Sequence, residues 1–421
     1  RGTGPVEVAQ PDELRAAMRE AMPAAKEGAG RLSTGGTASG VPFVESCGDL
    51  PIKNWQLGSW AEQAERIAPQ NHFDRVFDRH YACYSCPIRC GKIVKLPDGP
   101  HAGLRSHAPE YETTAGFGPL CLNDDYDTVV AANDLCNRYG LDTISTSAVI
   151  AFAMEAFERG IITTDDCGGI EPAWGSADAI LALVHAIGRR EGIGKLLGEG
   201  VRRAADKLGG EAPTFAIHTK GLEYPYHDPR AFISMAPSYA TGTRGACHLD
   251  SFSYILGYGA PMRDLGVEAG SIEPHDHEGK ARIAVDMQNL MAVYDALGVC
   301  KFVARDGTGP SVLARWTSLV TGWDISADEL MLAGARLFTL KRAYDLRCGV
   351  RRPDDALPHR LEHLDRQTGA AAGSLPDMPR LLAEYYALRG WDVQRGCHGQ
   401  RRERWNRQLQ HHNNSAAGRG R

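Results

Sequence analysis

Apolar residues recur at intervals of three and four along most of the chain beyond residue 120, the period of a helix with one buried face. DDYDTVVAANDLCNRYG (124–140) predicts a helix capped at Asn123-Asp124 and stopped by Gly140, and AVIAFAMEAFERG (148–160) one capped at Ser147 and stopped by Gly160. The same period runs through 176–190, 192–210, 283–299, 311–322, 326–349 and 378–390. PDELRAAMREAMPAA (11–25) adds a helix that opens on Pro11-Asp12. Alternating patterns are few. KIVKL (92–96), ending at the turn Pro97-Asp98-Gly99-Pro100, predicts a short strand, and the Gly/Ser/Thr-rich stretch 28–42 predicts a loop. The pattern predicts a mainly α fold of two helical domains, 1–215 and 216–392. Residues 393–421 hold seven Arg and one Glu with no apolar period, and predict a basic, disordered tail.

Composition narrows the class. Hydrophobic residues are 43% and charged residues 24% of 421, the balance of a globular chain long enough for more than one core. Lys+Arg 47 against Asp+Glu 52 gives a net charge of -5, with no broad cationic field for nucleic acid. No apolar run reaches the roughly 18 residues of a membrane-spanning helix, so membrane insertion is not expected. The chain opens without Met or an apolar leader segment, and the expectation is a fragment, a processed chain or the product of a split or shifted frame. Eleven cysteines scattered over this length do not form a secreted disulfide scaffold; a reducing, cytoplasmic setting is expected.

The chemistry concentrates at Cys83, Cys86 and Cys90 in ACYSCPIRCGK. Three thiolates within eight residues converge on one small object, a zinc ion or an iron-sulfur centre. A cubane cluster needs a fourth ligand from afar, while zinc could draw on His80. Of the other cysteines, Cys247 beside His248 is the one with a chemical neighbour; the rest read as packing or surface thiols.

A series of segments then carries a resemblance. LPIKNWQ (50–56), CYSCPIRCGK (83–92), PEYETTAGFG (109–118), NRYGLDTIS (137–145), IAFAMEAFERG (150–160), KGLEYPYHDPR (220–230), RGACHLD (244–250) and DALGVCKF (295–302) follow one another in an order that resembles the two C-terminal domains of the aldehyde:ferredoxin oxidoreductase family. The resemblance covers roughly residues 30–392. It implies a [4Fe-4S] cluster on Cys83, Cys86, Cys90 and the remote Cys300. It implies a tungsten- or molybdenum-bis-pterin held by two matching segments. The first is Asn137, Gly140, Leu141 and Asp142; the second is Asp295, Gly298 and Val299. Asn137 stands where the family's segment opens with Asp, so a charge is lost there. A Glu and a His handle protons in the family. The matches are Glu110 or Glu112 in PEYETTAGFG, with Glu110 taken first, and His248 in RGACHLD. Apart from the resemblance, the donor forks of Arg230 and Arg244 suit a phosphate-like or carboxylate group, and Tyr111 and Tyr239 are weaker candidates, read first as packing residues.

The family also carries a β-rich N-terminal domain that supplies much of the pterin saddle, and this chain does not show it. The resemblance therefore implies oxidation of an aldehyde to a carboxylic acid, with electrons leaving through the cluster to ferredoxin. A separate chain could supply the first domain, and the uncovered surface could self-associate into a homo-oligomer. The alternatives are an iron-sulfur electron-transfer or structural subunit without pterin, and a zinc-stabilised interaction protein.

Overall fold

Helices carry this fold because the three- and four-residue apolar stripes find one another. The computed structural model describes Gly4 and residues 7–391; the tail expected over 393–421 lies outside the described residues. The long helices are Pro11–Gly28, Tyr126–Tyr139, Thr143–Glu158, Ala177–Arg189, Lys280–Leu297, Pro310–Thr321, Ala327–Arg347 and Met378–Arg389. Strands among the described residues are short. β1 (Phe77–Tyr81), β2 (Gly91–Lys95) and β3 (Arg105–His107) form one antiparallel sheet in that order, and β4 (His218–Thr219) pairs with β5 (Leu222–Glu223). No helix among the described residues is long and apolar enough to cross a membrane.

Thr143–Glu158 is apolar on almost every side and is buried from Thr146 to Ala156, as such a helix must be. Around it one continuous buried cluster runs from Val41 to Leu382 and takes in residues on both sides of position 215. The middle of this core is polar but satisfied. Glu155 receives Arg360 at 2.6 and 2.8 Å and the Asn54 amide at 2.7 Å. Arg230 donates to the Asp228 carboxylate and to the carbonyls of Trp55 and Leu364, while Arg366 donates to the carbonyls of Gly48 and Leu50. A buried carbonyl without a donor costs about 1–3 kcal/mol. These arginines therefore fasten segment 360–366 to segment 48–55.

Three local expectations are corrected. The stretch 28–42 is not a loop but a string of short turns, Gly30–Gly35, a 3-10 turn Thr37–Gly40 and the start of Val41–Ser46, wound because Leu32 and Val41 are buried. Asp125, not Asn123-Asp124, caps Tyr126–Tyr139: its carboxylate accepts from the amides of Asp127 and Thr128, and Asn123 accepts from Asp125. Ser147 caps nothing. Its helix begins at Thr143 under Asp142, and the Ser147 hydroxyl turns back to the Thr143 carbonyl at 2.7 Å.

Candidate functional site

Glu110 is the N-cap position of the helix Tyr111–Phe117, and Glu112 lies in its first turn. This helix presses closely on Thr143–Glu158: a Cβ at Gly116 would lie 2.1 Å from Ser147 Oγ and 2.6 Å from the Tyr226 ring. Only glycine permits that approach, and it fixes the backbone that carries Glu112. Glu112 Oε2 accepts from the Tyr226 amide at 2.6 Å. Oε1 is buried without a well-directed hydrogen bond, 3.2 Å from His248 Nε2 and 3.7 Å from His227 Nε2. The three donor atoms lie within 4.8 Å of one another, near enough to share a cation or a proton. Glu110 lies apart from this group and accepts from the Thr37 hydroxyl, which in turn receives the Tyr111 amide at 2.8 Å.

His227 is held on both faces and at one edge. Its ring stacks on Tyr254 at 3.8 Å and on Tyr111 at 4.9 Å between centroids. Its Nδ1 lies 2.6 Å from Asp49 Oδ2, which also receives the Tyr258 hydroxyl. The Asp49 bond to Nδ1 orients the ring, and burial raises the Asp49 carboxyl well above its ordinary value.

Burial decides the charges here. It pushes the Glu112 carboxyl up to about 8, against the pull of the Tyr226 amide. It draws His227 down to about 3, helped by Arg305, and takes His248 well below its ordinary value, helped by His227, Lys301 and Arg244. At neutral pH the arrangement is a protonated carboxyl facing two neutral imidazole nitrogens. Such a set can donate a proton, take one back and pass it on.

Three cavities meet at this set. A small one of about 270 Å³ is walled by Glu110, Glu112, His227 and His248 together with Tyr254 and Phe302. A polar groove of about 810 Å³ shares Glu110 and Glu112 with it and is lined by Arg79, Arg105 and Asn137. A second groove of about 590 Å³ shares His248 and Leu249 with it and is lined by Asp142, Arg244, Asp295, Lys301 and Cys247. Glu112 and His248 thus stand where a small chamber opens toward two larger, charged grooves.

Two helix ends border those grooves with the same geometry. After Tyr126–Tyr139, Gly140 turns left-handed at φ 70; its amide donates to the Asn137 carbonyl and the Leu141 amide to that of Cys136. After Lys280–Leu297, Gly298 does the same at φ 68, with its amide on Asp295 and the Val299 amide on Tyr294. Asp142 and Cys300 follow at equivalent places, with nearly equal backbone angles. Asp142 spends one carboxylate oxygen on the Ser145 amide, and Asp295 pairs with Lys301 at 2.9 Å.

The second of these ends also brings Cys300 to the cysteine loop. Cys86 and Cys90 pack with Ile88, Phe302 and Val303, and burial and the neighbouring Glu110, Cys300, Cys86 and Cys83 push the Cys90 thiol up to about 11. Ser85 and Arg89, the residues before Cys86 and Cys90, are both left-handed, at φ 53 and 55. These residues turn the loop backbone, and Cys83 and Cys86 lie near enough to Cys300 to act on its thiol. All four are free thiols. No set of three cysteine sulfurs among the described residues falls within 4.8 Å. His80 lies on β1 with its ring against Phe77.

Sequence reading did not find His227 or Asp49. A His three residues before the Arg of HDPR was the available signal. Arg230 is not free for an anion, since its donors are spent in the core, whereas Arg244 is exposed on the second groove. The hydroxyls of Tyr111 and Tyr239 donate to the carbonyls of Tyr226 and His227.

Comparison with known proteins gives one consistent answer. The family described as aldehyde ferredoxin oxidoreductase, domains 2 & 3, matches residues 13–403. The tungsten-containing aldehyde ferredoxin oxidoreductase of Thermococcus kodakarensis is 32% identical over 368 residues, which are 86% of this chain and 58% of that protein. The aliphatic sulfonate oxidoreductase, WOR-like subunit, of Pyrococcus furiosus is 29% identical over 410 residues, 93% of this chain and 60% of that protein. In fold, the active-site complex BamBC of benzoyl coenzyme A reductase, solved with 1,5-dienoyl-CoA, superposes with a TM-score of 0.72 at 21% identity, over 93% of this chain and 64% of that one. The chain spans about three-fifths of the length of the curated relatives it matches.

Proposed function

Because the chain belongs to the aldehyde ferredoxin oxidoreductase family and has the mainly helical fold of that family's domains 2 and 3, we propose that it forms the iron-sulfur and proton-handling side of an aldehyde-oxidising enzyme. The net reaction is aldehyde plus water to carboxylic acid, two protons and two electrons. Its redox partner is ferredoxin or an equivalent carrier, met in a reducing cytoplasm. The single observation that carries the reading is the junction of Glu112 and His248 with one small chamber and two large polar grooves.

The donor sets fit the groups that the family uses. Cys83, Cys86, Cys90 and Cys300 are four free thiols gathered from a curled loop and a remote helix end, the set a [4Fe-4S] cluster requires. The grooves offer Asn137, Asp142 and Asp295 side chains, and the paired turns at Gly140-Leu141 and Gly298-Val299, to a large polar pterin. A tungsten- or molybdenum-bis-pterin bound there would supply the two-electron acceptor, and the cluster the one-electron exit.

The chain's own residues do the rest. The small chamber admits the aldehyde. Glu112, protonated at neutral pH, donates to the carbonyl oxygen and orients it. His248, neutral, accepts a proton released as water adds. Asp49 and the flanking tyrosines hold His227 so that its Nε2 keeps Glu112 aimed. Glu110, taken first on sequence grounds, lines the same chamber but is engaged by Thr37, so we assign it a supporting part.

The test is anaerobic purification of the holoenzyme with metal analysis and viologen-linked aldehyde oxidation. Iron together with tungsten or molybdenum is expected, with turnover lowered about 100-fold or more in Glu112→Gln and His248→Asn at unchanged metal content. Normal turnover in both variants would reject the assignment. Iron without tungsten or molybdenum, and no turnover, would support an electron-transfer subunit instead.

A further inference from the structure

The wall of the 270 Å³ chamber carries two arginines that the proton-handling reading does not use. Arg31 comes from the helix Gly30–Gly35 and Arg305 from the 3-10 turn Lys301–Asp306. Among the described residues neither is paired with a carboxylate. The nearest acid in sequence, Asp306, is turned to the Thr308 amide and hydroxyl. Arg31 lies over the Phe43 ring at 4.9 Å, which fixes its plane without neutralising it. The guanidiniums are close enough to disfavour each other: burial first and Arg305 next hold Arg31 below its ordinary range. Arg305 also acts on His227 and Tyr254, so its charge is felt inside the chamber.

Arg31 is exposed and Arg305 half-buried, so both positive charges line the small aromatic chamber where an anion from solvent can reach them. Planar guanidiniums suit a planar or tetrahedral oxyanion because each offers a fork of donors. The same chamber is lined by Glu112 and His248, where the carbonyl reacts in the function proposed above. At about 270 Å³ the space suits a small molecule, below the usual range for larger ligands.

We infer that the substrate is a small aldehyde carrying an oxyanion at the end opposite its carbonyl, held by Arg31 and Arg305 while the carbonyl faces Glu112 and His248. The substrate class rests on the function proposed above, but the oxyanion site can be tested apart from it. The experiment compares kcat/KM of the holoenzyme for 4-formylbenzoate, 4-formylbenzenesulfonate and benzaldehyde, in the natural protein and in Arg31→Gln, Arg305→Gln and the double variant. Arg31→Lys and Arg305→Lys, which keep the charge, guard against misfolding. Calorimetric binding of terephthalate and 4-sulfobenzoate is measured in parallel, with no turnover required.

The charged aldehydes are expected to be preferred over benzaldehyde by about 10- to 100-fold, with the preference collapsing in the double variant and partly kept in the lysine variants. The two charged aldehydes, compared with each other, show which oxyanion fits. A preference near one in the natural protein, or one untouched in the double variant, would overturn the inference. If no aldehyde is oxidised, the proposed function falls; dianion binding that the double variant loses would still uphold the oxyanion site, and absent or variant-indifferent binding would remove it.

Discussion

Glu110 and Glu112 are two positions apart, yet a helix begins between them and turns them to different partners. Read as extended chain, the pair would share a face, and no sequence pattern separates them. His227 and Asp49 were invisible for another reason: they meet across 178 positions, and only the folded core brings them together. His248 and the four cysteines stand in motif contexts that single them out in the sequence. The Glu112 environment makes a pH prediction. Its carboxyl titrates at about 8 when folded against an ordinary 4.5, so the native state holds a proton that the unfolded chain releases between those values. Stability should therefore fall as pH rises through this window. Glu112→Gln keeps the shape and removes the titration. Its melting temperature relative to the natural protein should rise steadily from about pH 5 to pH 8; a constant offset across that range would show that Glu112 is not protonated in the fold.

Helix periodicity located the long elements well, because their apolar stripes are long. It failed where tertiary burial wound a glycine-rich stretch, as around Leu32, and where a helix began one turn early under Asp142. The clamp on the central helix is an element-scale device. Burial alone would raise the Glu155 carboxyl, yet Arg360, Asn54 and Arg159 hold it below its ordinary range. Arg360→Ala takes one of two arginines from a buried carboxylate, and a loss of about 3 kcal/mol is expected, read as a lower denaturant midpoint at neutral pH and a smaller loss toward acid, where Glu155 takes a proton. Equal losses at both would point to packing alone. Cys300 tests the other junction, between the helix Lys280–Leu297 and the cysteine loop. Cys300→Ser should lower the iron content or convert the cluster; an unchanged iron count and EPR spectrum would exclude Cys300 as a ligand.

At the scale of the molecule, the grooves that border Glu112 and His248 are broad and polar, and the matched relatives are longer than this chain. A large polar cofactor needs donors on every side, and each buried group left unpaired is costly. Residues 1–421 produced by themselves are expected to assemble the cluster but to oxidise no aldehyde, and addition of the remaining region of a relative should restore pterin binding. Stoichiometric pterin and steady turnover from residues 1–421 alone would refute this. The cysteine site carries one more consequence. Cys83 and Cys300 face solvent while Cys86 and Cys90 are half-covered. A cluster seated there would turn one corner outward, where a carrier could collect electrons by touch. The same corner meets dioxygen first. In air such a cluster should lose iron there before its buried side is attacked, so the protein's working life in air would be set at its surface, by corrosion, rather than by unfolding.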